Sequence, residues 1–240
     1  MTFFVFLLYT GIVSEEGGYM TGKLIVIEGT DCSGKNTQSI LLVKKLVAMG
    51  LKAVNLSFPM YDSSTGKIVG GPLLGRKEFG PSWFPEGYTH VDPKISGLYY
   101  AADRKYNFSK IEKYLQEGYY VVLDRYVSSN MAHQGSKIED DDERFNFFRW
   151  IDKLEYWLLE LPKADLTIFL HVPFQYTKEL MKTREFTDEA EKDEAHLIQT
   201  EKTYIELSEL YHWQTVDCVE DGKIKTIEEI NREVLDKVLI

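Results

Sequence analysis

From Lys23 onward, short apolar runs alternate with longer amphipathic stretches. Apolar runs of roughly 4 to 8 residues bounded by turn formers read as strands buried on both faces, and apolar positions three and four apart read as helices. Strands are predicted on this basis at Leu24–Glu28, Lys52–Ser57, Tyr119–Leu123, Leu166–Val172 and Gln214–Val219. Helices are predicted at Thr37–Met49, Pro93–Gln116, Arg144–Glu160, Phe174–Thr183, Lys192–Leu210 and Ile227–Leu239. Asp92 is placed to cap the second helix, and Ile40, Leu41, Lys44, Lys45 and Ala48 have helical spacing in the first. Strands separated by helices need right-handed crossovers and a sheet covered on both sides. The expected fold is therefore α/β, doubly wound, with a five-stranded, mostly parallel sheet flanked by helices.

Three stretches stand outside this alternation. Thr2–Tyr9 is apolar but shorter than the roughly 20 residues of a membrane span, and no Lys or Arg precedes Lys23 to form a secretory signal. Residues 1–22 are expected to be an extension outside the core, with Met20 a possible working start; an added edge strand or partner contact is the other reading. Residues 59–92 are rich in Gly, Pro and aromatics without a period, as long functional loops are. The acidic run Glu139–Glu143 reads as a solvated loop and helix start. Residues 23–240 are expected to form one domain, given a prior of about 150 residues per domain.

Composition narrows the partners. A formal charge of -10 repels nucleic-acid backbones and acidic lipid surfaces, so neither is expected as a partner. The two cysteines, Cys32 and Cys218, lack CxxC spacing and suit a reducing cytoplasm, and the five histidines show no metal-ligand spacing.

Between the first strand and first helix lies Gly29-Thr30-Asp31-Cys32-Ser33-Gly34-Lys35-Asn36-Thr37. This GxxxxGK pattern lets successive backbone amides curl around one anion at a helix N-terminus, with Lys35 reaching the β and γ phosphates of a nucleotide. Asn36 occupies the place of the hydroxyl that usually holds Mg²⁺. Its amide oxygen, Thr37, or water and phosphate oxygens are the candidate replacements. Cys32 reads as a small loop filler.

The third strand runs into Asp124-Arg125-Tyr126-Val127-Ser128-Ser129-Asn130-Met131-Ala132-His133-Gln134-Gly135. Ligands of open parallel sheets bind beyond the carboxyl ends of strands, which puts Asp124 and Arg125 at the edge of the phosphate loop. With Phe58-Pro59-Met60-Tyr61 and Leu98-Tyr99-Tyr100-Ala101-Ala102-Asp103-Arg104, these motifs resemble the thymidylate kinase family of P-loop kinases over Lys23 to about Tyr211. The resemblance implies transfer of the ATP γ-phosphate to dTMP, with Mg²⁺, in a homodimer. It also implies residue roles. Asp31 contacts the acceptor's 3′-hydroxyl near the transferring group. Arg125 clamps the acceptor phosphate, although an ion pair with Asp124 is the alternative. Tyr100 stacks on the base and Arg104 bonds its carbonyl; Phe58 and Tyr61 line the acceptor site, and Asn130 and Gln134 address the base edge.

Three substitutions distinguish this chain from that pattern, the mildest being Tyr100 in place of the more usual Phe. Met60 stands where family members often carry an arginine, leaving Tyr61 as a hydrogen-bond donor and one positive charge missing. His133 stands where many members have a tyrosine near the sugar's 2′ position, so it either loosens ribonucleotide exclusion or packs. A lid is expected around 181–194, with Arg184 as its cation. The competing readings are a kinase of this fold with another acceptor and a nucleotide-binding module without turnover.

Overall fold

The computed structural model describes residues 21–181 and 193–239. At its centre are β1 (Lys23–Glu28), β2 (Ala53–Ser57), β3 (Tyr120–Asp124), β4 (Leu166–His171) and β5 (Gln214–Asp217), all parallel, in the order β2-β3-β1-β4-β5. Pleating explains the continuous apolar runs: Leu24 and Val26 of β1 join the core on one face, Ile25 and Ile27 the core on the other, and all are buried. Just before β1, the Gly22 backbone N–H donates to the Leu115 carbonyl at 2.9 Å.

The helices are α1 (Lys35–Ala48), α2 (Ser64–Ile68), α3 (Pro93–Gln116), α4 (Val127–Gly135), α5 (Asp141–Asp152), α6 (Phe174–Met181), α7 (Glu194–Leu210) and α8 (Ile227–Leu239). Residues of α3, α4, α5 and α7 cover the face with Leu24, and residues of α1 and α8 cover the other. Asp92 caps α3 as expected, accepting from the N–H groups of Lys94 and Ile95 at 2.8 and 3.1 Å. The acidic run is the start of α5, where the Asp140 side chain accepts from the Glu143 N–H.

Several details differ from the periodicity. The buried face of α1 is Lys35, Gln38, Ser39, Leu42 and Leu46, while Ile40 is exposed. The loop before α1 sets this rotation: Lys35 must point back into the loop, and positions three, four, seven and eleven further on then share its face. The first turn accordingly begins at Lys35 rather than Thr37. β3 extends to Asp124, which pairs in register with Ile27 and Ser57. Residues 59–92 contain α2, a π-helical turn at Val69–Leu73 and a 3₁₀ turn at Tyr88–His90. α4 has no amphipathic period because each of its residues is buried. A second π turn, Lys153–Leu158, continues α5, and a small hairpin, β6 (Val219–Glu220) with β7 (Lys223–Ile224), follows β5. The lid expected around 181–194 lies largely outside the described residues, and Arg184 wholly so.

Candidate active site

The phosphate loop owes its shape to two glycines. At Gly29 a Cβ would lie 2.6 Å from Ser33 Oγ and 2.7 Å from the Leu170 carbonyl oxygen. Gly34, at the N-cap of α1, has φ 85°, a left-handed conformation that costs glycine little. Lys35 is buried and donates from Nζ to the Thr30 carbonyl at 2.6 Å and Ser33 Oγ at 3.4 Å. Burial, and next the Arg125 guanidinium, push its amine down to about 8.

Arg125 also has a left-handed backbone, with φ 70°, and its N–H donates to the Ile27 carbonyl at 3.2 Å. Such a conformation in a non-glycine residue persists when surrounding contacts hold it. Here its Nη2 forms an ion pair with Asp31 of the phosphate loop. Its Nη1 donates to Ser129 Oγ at 3.3 Å and His133 Nε2 at 2.8 Å. The partner carboxylate is thus Asp31 and not Asp124, so the pair joins two distant motifs and not sequence neighbours. Burial and the adjacent guanidinium hold the His133 imidazole well below its usual range, which leaves it neutral and able to accept. His133 is buried, with a specific partner as well as a packing role.

Beneath this pair, Glu28 braces the turn. Its Oε1 accepts from the backbone N–H groups of Tyr126 and Ser129 at 3.0 and 3.1 Å; its Oε2 accepts from Ser129 Oγ at 2.7 Å and Tyr204 Oη at 3.0 Å. Burial still raises its carboxyl above the ordinary range, against these hydrogen bonds.

A second buried ion pair organises α3. Arg104 is engaged by Glu155 through both Nε and Nη2, the latter at 2.6 Å, while its Nη1 lies 3.4 Å from the Tyr126 carbonyl. Asn130 donates to Glu155 Oε1 at 2.9 Å and to the Gly97 carbonyl at 3.1 Å. Gln134 donates to Tyr88 Oη at 2.8 Å, and Tyr100 Oη donates to the same oxygen at 3.3 Å. The amide oxygens of Asn130 and Gln134 are buried without a hydrogen-bond partner. Each is an acceptor left for a ligand's N–H.

One cavity of about 520 Å³ joins these groups. The phosphate loop contributes Asp31, Cys32, Gly34, Lys35, Asn36 and Thr37 to its wall. From β2 and the residues beyond it come Phe58 and Tyr61; from α3, Tyr100 and Arg104; from β3, the turn and α4, Asp124, Arg125, Asn130, His133 and Gln134. Gly29, Thr30 and Ser33 shape the loop without lining the cavity. Sequence reasoning did not single out Glu28, Glu155, Tyr88 or Arg76, the last two of which line the wall. A charged residue ending an apolar strand was a legible signal for Glu28; the others had none.

Asp124 Oδ1 is buried and makes no hydrogen bond, and Asp31 and Asn36 add oxygen donors to the same wall. This donor set fits a hard divalent cation held by one or two carboxylates, water and phosphate oxygens. Among the described residues there is no group of three His, Cys, Asp or Glu suited to hold a metal alone, and no helix long and apolar enough to cross a membrane.

A parallel sheet with a phosphate loop after its first strand, facing an arginine turn across one cavity, defines a P-loop nucleotide kinase. The model of the family described as thymidylate kinase matches residues 27–230. The chain is 31% identical over 211 residues to a probable thymidylate kinase of Methanocaldococcus jannaschii, an alignment covering 88% of this chain and 93% of that one. It is 28% identical over 222 residues to a thymidylate kinase of Brachyspira hyodysenteriae, covering 92% and 97% respectively. A solved thymidylate kinase from Candida albicans matches with a TM-score of 0.67 at 25% identity, over 91% of this chain and 92% of that one. The chain belongs to the thymidylate kinase family.

Proposed function

We propose that this enzyme transfers the γ-phosphoryl group of ATP to dTMP, breaking the bond to the β-phosphate oxygen and forming one to an oxygen of the acceptor phosphate. The ion pair between Asp31 and Arg125 carries the reading. It ties a loop built for a donor's phosphates to a guanidinium suited to an acceptor's phosphate, within one cavity. Transfer of this kind depends on positioning and charge neutralisation more than on covalent catalysis. Lys35 and the loop amides hold the ATP phosphates, Arg125 orients the acceptor phosphate, and Asp31 reaches the acceptor sugar. Asp124, Asp31 and Asn36 are the residues that would hold Mg²⁺, which when bound supplies charge neutralisation at the phosphates.

Base choice follows from hydrogen-bond polarity. The N3–H of thymine needs an acceptor, which the free amide oxygen of Asn130 provides, with Arg104 donating to a carbonyl and Tyr100 stacking. Cytosine presents an acceptor at N3 and would leave that oxygen unpaired, which sites of this kind penalise strongly. An ADP-release assay across nucleosides and nucleoside monophosphates tests the assignment. ADP forms fastest with dTMP; a faster acceptor, or no ADP with any, would overturn it. Replacing Asn36 with Thr restores a hydroxyl beside Lys35, and we expect activity to be kept or raised; a collapse of turnover would assign the amide a specific task.

The working unit in this reading is a cytoplasmic homodimer of one kinase domain without a nucleic-acid partner, supported by the family resemblance, the cysteine usage and the charge of -10. Light scattering checks the dimer against the 27.8 kDa chain.

A further inference from the structure

Among the described residues, four cationic side chains line the cavity: Lys35, Arg76, Arg104 and Arg125. Three are already engaged. Arg104 is paired with Glu155, Arg125 with Asp31, and Lys35 donates to its own loop. Arg76 differs, since among the described residues no carboxylate forms an ion pair with it. Its guanidinium lies over the Tyr61 ring, 4.5 Å from the centroid. A guanidinium resting on an aromatic face keeps its N–H donors for a ligand.

The segment carrying Arg76 is held in place. The Arg76 N–H donates to the Gly70 carbonyl at 2.8 Å, and its own carbonyl accepts from the N–H groups of Phe79 and Gly80 at 2.9 and 3.1 Å. Phe79 stacks on Tyr61 with ring centroids 5.4 Å apart. A Cβ on Gly71 would sit 2.4 Å from the Phe79 carbonyl oxygen, so this approach needs a glycine. Met60 meanwhile is 6% exposed and belongs to the core, and it does not line the cavity.

We propose that Arg76 binds the phosphate of the acceptor nucleotide, supplying from sixteen residues downstream the positive charge that position 60 lacks. The inference rests on the dTMP reading above. A monophosphate near neutral pH carries a charge of about −1.5 to −2. Arg125 meets it already paired with Asp31, so a second cation adds to the attraction, and a planar fork matches phosphate geometry.

The test is calorimetric binding of dTMP and of thymidine to the full chain, for the wild type, Arg76→Ala and Arg76→Lys. The alanine variant weakens dTMP by about tenfold or more, the range for a lost hydrogen bond to a charged group. Its thymidine affinity stays within about twofold of wild type, which also shows that the cavity is intact, and the lysine variant falls between. In turnover, KM for dTMP rises while KM for ATP does not. Equal losses for dTMP and thymidine, or no loss for either, would overturn the role of Arg76 and leave the proposed reaction standing. Failure of the wild type to bind dTMP would remove both.

Discussion

Burial lowers the Lys35 amine to about 8, so in the free protein it loses its proton just above neutrality. A bound triphosphate favours the protonated form, and ATP affinity must therefore fall as pH rises. From pH 7 to pH 9 the protonated fraction drops by about tenfold, which sets the expected loss of affinity. Titration calorimetry in buffers of different ionisation enthalpy would record this, together with proton uptake on binding near pH 9. A flat affinity over that range would refute the lowered value. Glu28 gives a second expectation. Its carboxylate accepts four hydrogen bonds, two from backbone N–H groups, and Glu28→Leu removes the acceptors that these donors face. Leaving such a donor unpaired costs about 1 to 3 kcal/mol, and urea unfolding should find that loss. The places of Lys35 and Arg125 at the cavity were legible because the motifs that carry them set them at the carboxyl edge of the sheet. Glu155 and Arg76 were not, since each finds its place through a contact distant in the chain.

Among the elements, the π turn after α5 shows how local geometry serves a distant side chain. Lys153–Leu158 departs from α-helical spacing and brings Glu155, fully buried, onto Arg104 of α3. π turns of this kind often occur at functional sites. Removing one partner of a buried pair leaves the other charge uncompensated, so Glu155→Leu is expected to destabilise the fold by about 3 to 5 kcal/mol and to loosen base selection with it. A thermal melt matching wild type would show that Arg104 finds another counter-charge. The strands and long helices followed from apolar periodicity, because each has one or two faces that must be buried. α4 was hidden for the converse reason, as a fully buried helix has no polar face to mark its period.

For the whole molecule, the core is shared between the two faces of one sheet. If residues 1–22 are an extension outside the core, as their sequence suggests, deleting residues 1–19 leaves the melting temperature and kcat/KM for dTMP unchanged; a lost fold or lost turnover would make the extension part of the native protein's working body. Apolar alternation and the glycine-lysine loop were enough to specify the five strands, the long helices between them and the place of the phosphate loop, because those features depend on neighbours within a few residues. Which carboxylate meets which guanidinium, how α1 is rotated, and that Arg76 comes to the cavity while Met60 enters the core depend on contacts between segments far apart in the chain. Such pairings form only when the sheet has brought the segments together, so no local pattern encodes them.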